Sequence, residues 1–312
     1  MSAEHSSLTL PSFAKINLRL EVKGRRPDGY HELFAVFQTI DIRDTLCFEE
    51  TSDNSIELIC EQEGIPGDDR NLVVKAGREL KTVFGVNLGV RIKLRKRIPA
   101  GGGLGGGSSN AAVALVGLCQ IWDINPQQGQ LLAIARRLGA DVPFFLTGGT
   151  AAATGIGDKI AGLKDIDYPY VIVVTPAVQV STAQAYSKLG APALTKDSTD
   201  IILSVSDAEA QVGDSLSVEP RNDLESVVFE IEPEVRRVKN ELIRTGASMA
   251  LMSGSGSSVF GIFENREAQK FALERLNREA NWLVFSCSTV SRKTYSEAMG
   301  SCGAFLQQNL SD

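Results

Sequence analysis

A glycine-rich stretch at residues 99–111, PAGGGLGGGSSNA, constrains this chain more than any other part of its sequence. Its six glycines leave the peptide N–H groups open to an anion and reach positive φ at little cost. The next residues have the apolar spacing of an amphipathic helix, on a face formed by Ala111, Ala114, Leu115, Leu118 and Trp122. We expect Ser108 or Ser109 to cap that helix at its positive end. The stretch therefore predicts a phosphate-binding loop, with a flexible linker as the alternative.

The surroundings of the glycines indicate which type of phosphate loop this is. A Walker loop is excluded because no lysine follows the glycines and no Gly-x-x-x-x-Gly-Lys-Ser/Thr pattern occurs. Gly101, Gly103 and Gly106 satisfy the Gly-x-Gly-x-x-Gly pattern of dinucleotide-binding proteins, and Asp123 lies about where their acidic residue falls. The preceding strand, residues 90–95, alternates between apolar and polar residues, whereas a Rossmann strand is almost continuously apolar. An NAD-dependent dehydrogenase is therefore a weak alternative.

Charge and composition narrow the possible partners and the compartment. The net charge is −6 without a basic block, which argues against nucleic-acid binding. The basic strip at 93–97 is interpreted as a solvated strand face, with direct phosphate contact as the alternative. No apolar stretch is long enough for a membrane span, and the N-terminus has no signal-peptide pattern. Five scattered cysteines indicate reduced thiols, and two histidines are too few for a His/Cys metal site. We therefore expect a cytoplasmic protein that binds neither nucleic acid nor membranes.

Length and periodicity predict a two-domain α+β protein. With 312 residues, 43% of them hydrophobic, the chain can bury a large core and exceeds the usual size of one domain. Alternating strands and helical segments follow in an order that suits helices on mostly antiparallel sheets. We place domains at 1–155 and 156–312, and assign no role to the tail after about residue 292. In the second half, the pattern also predicts a helix over 197–210.

Two charged residues are candidates for chemistry. Lys15 lies on the polar face of an alternating strand at residues 12–22, where a lysine is usually a surface charge. Asp141 lies in the apolar segment GADVPFF, residues 139–145, where it is equally compatible with a helix N-cap and with a catalytic carboxylate. The residues alone leave both interpretations open.

Three segments together resemble the GHMP kinases, the group that includes galactokinase, homoserine kinase and mevalonate kinase. They are the strand that carries Lys15, residues 99–112, and SGSGSS at 253–258, whose last two serines fall where the family varies. Within that group, four motifs are similar to the kinases of 4-diphosphocytidyl-2-C-methyl-D-erythritol in the non-mevalonate isoprenoid pathway. These motifs are PSFAKINL, RPDGYH, the glycine stretch and GADVPFF. The resemblance runs from about residue 10 to about residue 292.

The resemblance implies the GHMP fold and a kinase reaction. Each domain would be a mostly antiparallel sheet covered by helices, with the active site in the cleft between them. The enzyme would transfer the γ-phosphoryl group of ATP to the 2-hydroxyl of the diphosphocytidyl substrate, giving the 2-phosphate and ADP. Asp141 would accept or orient the hydroxyl proton, and Lys15 would pair with it and stabilise charge on the transferring group.

The resemblance also implies two sets of binding residues. The ATP-binding residues are Asn71, Pro99, Gly101, Gly102, Gly103, Leu104, Gly105, Gly106, Gly107, Ser108 and Ser109. The substrate-binding residues are Asn17, Tyr30, His31, Thr182, Tyr186, Gly254 and Gly256. Among them Tyr30, His31 and Tyr186 match a cytosine clamp, although the family commonly has phenylalanine at the last position. Mg²⁺ is expected with ATP, with no dedicated site and with Ser108 or Ser109 as its nearby protein ligand.

Other functions remain as alternatives to this one. A GHMP kinase for homoserine, mevalonate or a sugar is the main alternative, but it leaves the three aromatic residues without a base to bind. A catalytically inactive nucleotide-binding regulator would keep the glycine loop but should lack a lysine–aspartate pair. We expect the protein to be a monomer or a weak homodimer.

Overall fold

The computed structural model describes residues 7–194 and 219–310, which form two β-sheets and their covering helices. The strands are β1 (Ser7–Arg25), β2 (His31–Thr51), β3 (Ile56–Ile59), β4 (Gly89–Arg95), β5 (Thr150–Thr154), β6 (Lys159–Gly162), β7 (Val171–Pro176), β8 (Arg221–Asn222), β9 (Met249–Met252), β10 (Val259–Ile262) and β11 (Trp282–Cys287). The helices are α1 (Leu72–Phe84), α2 (Gly106–Ile121), α3 (Gln130–Leu138), α4 (Phe144–Thr147), α5 (Thr182–Leu189), α6 (Glu225–Ile231), α7 (Pro233–Arg244), α8 (Arg266–Leu276), α9 (Arg292–Ala298) and α10 (Ser301–Leu310). The predicted helix at 197–210 lies outside the described residues.

The first sheet has seven strands. Five follow the order β3-β4-β2-β1-β8, while β5 pairs with β2, and β6 pairs with β5. The β3–β4 and β1–β8 pairs are parallel, and the other neighbours are antiparallel. Through β6 the sheet continues to Gly162, and β8 joins it from the second half of the chain. The first sheet therefore extends across residue 155, where we placed the domain division.

The second strand is longer than its sequence predicts. Two strands at 33–42 and 45–49 are expected, but β2 is continuous through the polar residues between them. The pairing with β1 shifts here from Phe13 opposite Arg43 to Ala14 opposite Ile40, which is a bulge. A bulge absorbs extra residues without ending the strand, so the polar break in the sequence is not a break in the sheet.

The second sheet is antiparallel throughout, in the order β11-β7-β10-β9. Helices α7 and α8 contact it. A buried apolar cluster joins the two sheets, with Ile16 and Phe34 from the first and Val173 and Phe260 from the second. This arrangement confirms the predicted α+β class of two mostly antiparallel sheets covered by helices.

Strand β1 and helix α2 are each predicted to have one solvent-exposed polar face, but both are buried on nearly all sides. The supposedly polar face of β1 is buried, with Lys15 3% and Asn17 2% exposed, because β1 lies inside the sheet and α2 packs against it. Helix α2 is buried almost all round rather than amphipathic, since it packs against β1, β2, α1, α3 and α4. Both elements belong to the core that surrounds the glycine stretch.

The tail after residue 292 packs back onto the first half of the chain. Helix α10 contacts α2 and α4. Tyr295 on α9 is buried, donates its hydroxyl to the Phe145 carbonyl oxygen at 2.5 Å, and places its ring 5.5 Å from that of Phe13. The tail, which had no assigned role, therefore completes the core beside α2.

Among the helices of the described ranges, none is both long enough and apolar enough to cross a membrane.

Candidate active site

The glycine stretch forms the connection from β4 to α2. The helix begins at Gly106, and Gly105 takes the N-cap position with a left-handed φ of 70°. The predicted caps Ser108 and Ser109 are wrong because this left-handed glycine starts the helix earlier. Ser109 is buried instead, and its hydroxyl lies 2.7 Å from that of Ser12. The first N–H groups of α2 follow directly from the glycines, as an anion site requires.

A cavity of about 370 Å³ lies against this loop. The predicted ATP-binding residues that line it are Asn71, Pro99, Gly101, Gly102, Gly103, Leu104, Gly105, Gly106, Gly107 and Ser108. Ser109 is not in the lining. Asn71 also caps α1, because its Oδ1 accepts from the Val73 N–H at 3.0 Å. We call this space the phosphate cavity.

One residue of the basic strip differs from its predicted role. Lys93 is half exposed and pairs with Glu49 at 3.0 Å, as a solvated strand face requires. Lys96, by contrast, has a side chain only 4% exposed, pairs with the fully buried Asp44 and lines the phosphate cavity. The prediction of a solvated face is therefore wrong for Lys96, and a buried acidic partner is the reason.

The two candidate catalytic residues form an ion pair. Lys15 Nζ lies 3.4 Å from Asp141 Oδ2, with side chains 4% and 35% exposed. Asn17 Oδ1 accepts from the same ammonium at 2.5 Å, and the Phe37 ring centroid is 5.0 Å from it. The surface-charge interpretation of Lys15 is therefore wrong. The N-cap interpretation of Asp141 is also wrong, because Pro143 occupies that position of α4.

Lys15 is fixed directly beneath the glycine loop. Its backbone N–H donates to the Leu104 carbonyl oxygen at 3.0 Å. A Cβ atom at Gly105 would lie 3.1 Å from Lys15 Cγ and 2.7 Å from the Phe145 ring. Only glycine allows this approach, so the loop and the lysine share one packed unit.

The second glycine-rich loop, residues 253–258, joins β9 to β10 and supports the first from behind. Ser253 Oγ donates to the Gly103 carbonyl oxygen at 2.9 Å, and the Ser258 N–H donates to the Gly102 carbonyl oxygen at 3.1 Å. A Cβ atom at Gly103 would lie 2.1 Å from the Ser253 carbonyl oxygen. No role was predicted for these serines, although their alternation with glycine is the signal that marks the loop.

The ion pair opens into a central cavity of about 370 Å³ between the two glycine loops. The predicted site residues that line it are Lys15, Asn17, Gly101, Gly103, Gly105, Asp141, Thr182, Tyr186, Gly254 and Gly256. Thr182 Oγ1 lies 2.7 Å from Ser255 Oγ, which connects α5 to the second loop. The central cavity shares Gly101, Gly103 and Gly105 with the phosphate cavity.

An outer cavity of about 640 Å³ continues from the central one and shares Thr182 and Tyr186 with it. Tyr30 and His31 also line it, and Tyr30 is 62% exposed. The His31 and Tyr186 rings are stacked, with centroids 4.8 Å apart. Burial, and then the charge of Arg25, lower the pKa of His31, which favours a neutral imidazole.

Tyr186 lines both the outer cavity and the central cavity that holds the Lys15–Asp141 pair. Burial raises the pKa of its hydroxyl, and the carboxylate charge of Asp141 raises it further. The phenol therefore stays protonated at neutral pH. The three cavities follow one another, with the lysine–aspartate pair in the middle one.

Comparison with known proteins identifies relatives over nearly the whole chain. Residues 71–149 match the family model of the GHMP kinases N terminal domain, and residues 206–281 match that of the GHMP kinases C terminal domain. A 4-diphosphocytidyl-2-C-methyl-D-erythritol kinase from Syntrophus aciditrophicus (strain SB) is 39% identical over 91% of this chain and 99% of its own length. A kinase of the same name from Solibacter usitatus (strain Ellin6076) is 40% identical over 92% of this chain and 90% of its own length.

Solved structures agree with these relatives. A crystal structure of 4-(cytidine 5'-diphospho)-2C-methyl-D-erythritol kinase superimposes with a TM-score of 0.72 at 33% identity, covering 91% of this chain and all of that one. The Methanococcus jannaschii mevalonate kinase has a TM-score of 0.65 at 15% identity, covering 93% of this chain and 100% of that one. The second likeness concerns the fold alone.

Proposed function

The chain belongs to the 4-diphosphocytidyl-2-C-methyl-D-erythritol kinase family of the GHMP kinases, and we propose that it phosphorylates the 2-hydroxyl of that substrate with ATP. The products are the 2-phosphate and ADP, in the non-mevalonate route to isoprenoid precursors. One observation carries the proposal: the Lys15–Asp141 pair lies in a cavity that joins a glycine-loop cavity to an aromatic one. ATP and a cytidine substrate can therefore meet at the pair.

The reacting end needs positioning and charge stabilisation more than covalent chemistry. We propose that Asp141 accepts the proton of the attacking 2-hydroxyl, because its carboxylate is the more exposed member of the pair. Lys15 stabilises the negative charge that develops on the transferring group. Asn17 holds the Lys15 ammonium in place through its Oδ1 atom.

The nucleotide end uses backbone rather than side chains. The N–H groups of the glycine loop and of the first turn of α2 bind the phosphates, and Asn71, which lines the same cavity, is the residue we assign to the adenine. Mg²⁺ bound together with ATP would neutralise charge on the phosphate oxygens. Ser108 is the serine suited to hold it, since Ser109 is buried against Ser12.

The cytosine binds in the outer cavity. His31 and Tyr186 contact each other, so we propose that the base stacks against this pair, with Tyr30 on its other side. Thr182 and the Gly254–Gly256 segment lie along the way to Asp141 and contact the remainder of the substrate. This assignment uses the three aromatic residues that a smaller alcohol would leave without a ligand.

An ATP-consumption assay across four alcohols tests the proposal. CDP-methylerythritol should support ADP formation, whereas mevalonate, homoserine and galactose should not. The Asp141→Asn variant serves as the control for contaminating kinases. Turnover with one of the other alcohols but not with CDP-methylerythritol would replace the proposal with a different GHMP kinase. NADH fluorescence enhancement in place of ADP formation would favour the dehydrogenase alternative.

We also propose that the protein acts in the cytoplasm as a monomer or weak homodimer. The five cysteines are free thiols, which suits a reducing compartment. Light scattering after size exclusion, at several protein concentrations, measures the oligomeric state.

A further inference from the structure

Asp44 is a buried carboxylate with a complete set of hydrogen bonds. It lies on β2 and has no exposed surface. Its Oδ1 accepts from the backbone N–H groups of Arg97 at 2.6 Å and Ile98 at 2.8 Å. Its Oδ2 accepts from the Lys96 ammonium and from Asn110 Nδ2, the latter at 2.9 Å. Four donors fill the acceptor capacity of one carboxylate.

These donors belong to the two ends of the glycine loop. Arg97 and Ile98 immediately precede Pro99, where the loop begins. Asn110 lies near the start of α2, and its Nδ2 also donates to Ser12 Oγ at 2.8 Å. A single carboxylate on a neighbouring strand therefore connects the entry and the exit of the loop.

We infer that Asp44 is a positioning residue that sets the geometry of the ATP phosphate loop, an inference that rests on the proposed function. Glycines restrain their own backbone weakly, so the loop's shape must be fixed by its ends and by packing. Asp44 also balances Lys96, whose ammonium lies 3.0 Å from where a Cβ of Gly106 would be. Without Asp44, an uncompensated buried cation would remain beside the positive end of α2.

The Asp44→Asn variant tests the inference. The amide nitrogen introduced at position 44 would face Lys96 and Asn110, which are themselves hydrogen-bond donors. The hydrogen bonds that connect the two loop ends would therefore be lost. The dissociation constant of ATP, measured by calorimetry without the second substrate, should rise about ten- to hundredfold. The KM for CDP-methylerythritol should change by less than about twofold, because the outer cavity lacks contact with this network. If Asp44 only stabilises the fold, the variant should have a lower melting temperature but no selective loss of ATP affinity.

A reciprocal exchange provides the matched control. Asn110→Asp alone would place a second carboxylate 2.9 Å from Asp44 and should weaken ATP binding. The double variant Asp44→Asn with Asn110→Asp restores one negative charge and one amide. Lys96 already lies 3.2 Å from Asn110 Oδ1, so its ammonium keeps a partner. ATP affinity in the double variant should return to within about threefold of wild type, a strongly non-additive result.

Several outcomes would overturn the inference. If folded Asp44→Asn binds ATP as tightly as wild type does, the network only stabilises the fold. The same conclusion follows if the loss of ATP affinity in the double variant equals the sum of the losses in the two single variants. If Asp44→Asn does not fold, Asn110→Ala keeps the Asp44–Lys96 pair and should weaken ATP binding about fivefold, from loss of a charge-assisted bond. Unchanged affinity there also overturns it. A wild-type protein that does not bind ATP removes the proposed function first.

Discussion

The two ends of the proposed active-site cleft, the phosphate end at the glycine loop and the base end at the outer cavity, are built differently. At the phosphate end, the glycine loop is held by backbone hydrogen bonds from Lys15 and Ser258 and by the buried Asp44. At the base end, side chains line the cavity, and Tyr30 projects from a turn with 62% of its surface exposed. The phosphate end is therefore held by more packing and hydrogen bonds than the base end, where Tyr30 is largely exposed.

This difference separates two tasks of an enzyme. Phosphoryl transfer requires reacting groups in fixed positions, which a packed core with glycine loops supplies. Substrate selection requires contact surface, which loops and exposed rings supply. Residues in such loops can vary between sequences at low cost to the stability of the fold. Substitutions at the two ends should therefore change different kinetic parameters.

The largest effect is expected between the two ends, at the carboxylate. Asp141→Asn should lower kcat by about 10²–10⁴, the usual contribution of a general base, with little change in ATP affinity. Asp123→Asn is the matched control, since that exposed residue has a φ of 50°, which asparagine tolerates, and lies away from the cleft. Steady-state kinetics measures both. Turnover near wild type in Asp141→Asn would contradict the assignment.

A substitution at Gly107 tests the phosphate end alone. Apart from its chain neighbours and the backbone of its own helix, a Cβ atom there would meet no atom of the described residues within 4 Å, while the residue lines the phosphate cavity on a helical turn. Gly107→Ala should therefore fold normally but raise the KM for ATP about tenfold, because a methyl group enters the space for phosphate. The KM for the cytidine substrate should stay constant. Gly103 is a poorer probe, since its Cβ would collide with Ser253.

Tyr186→Ala tests the base end. Stacking a base on an aromatic ring contributes about 1–3 kcal/mol, so the KM for CDP-methylerythritol should rise roughly five- to 150-fold. The KM for ATP should not change. Tyr186→Phe keeps the ring and should remain within about twofold of wild type. Equal efficiency with methylerythritol that lacks its CDP group would show that these rings only pack.

The smallest effect concerns protonation at the base end. The pKa of His31 is lowered by burial and by Arg25, so the unfolded chain binds this proton more readily than the folded one. Stability should therefore fall as the pH decreases from the unfolded value of about 6.5 through the lower folded value. Melting temperatures of wild type and His31→Gln, compared between pH 7 and pH 5, measure the difference. Parallel curves for the two proteins would contradict the expected linkage.

Local patterns in the sequence were sufficient to predict much of the fold. Alternation in β4, the glycine stretch and the helical spacing after it predict a strand, a loop and a helix, and all three are present. The family resemblance then brought the lysine and the aspartate into one site, and the structure places them 3.4 Å apart. The first prediction depends on local sequence patterns, and the second depends on family motifs.

Long-range packing accounts for what the sequence could not predict. The alternating pattern of β1 predicts one polar, solvent-exposed face and places Lys15 on it. In the structure, α2 and the glycine loop cover that face. The helix start depends on the left-handed φ of Gly105, and the five other glycines of the stretch could adopt that conformation equally well. The buried position and the role of Asp44 could not be predicted, because its partners at residues 96–98 and 110 are distant along the chain.

The return of α9 and α10 to the first half has a consequence for biosynthesis. The core beside α2, which carries the glycine loop, is completed by Tyr295 on α9 and by the contacts of α10. These helices leave the ribosome only after every strand of the second sheet. Contacts between such distant segments slow folding, and the nascent nucleotide site must wait for them. The protein should therefore acquire ATP binding late in its synthesis.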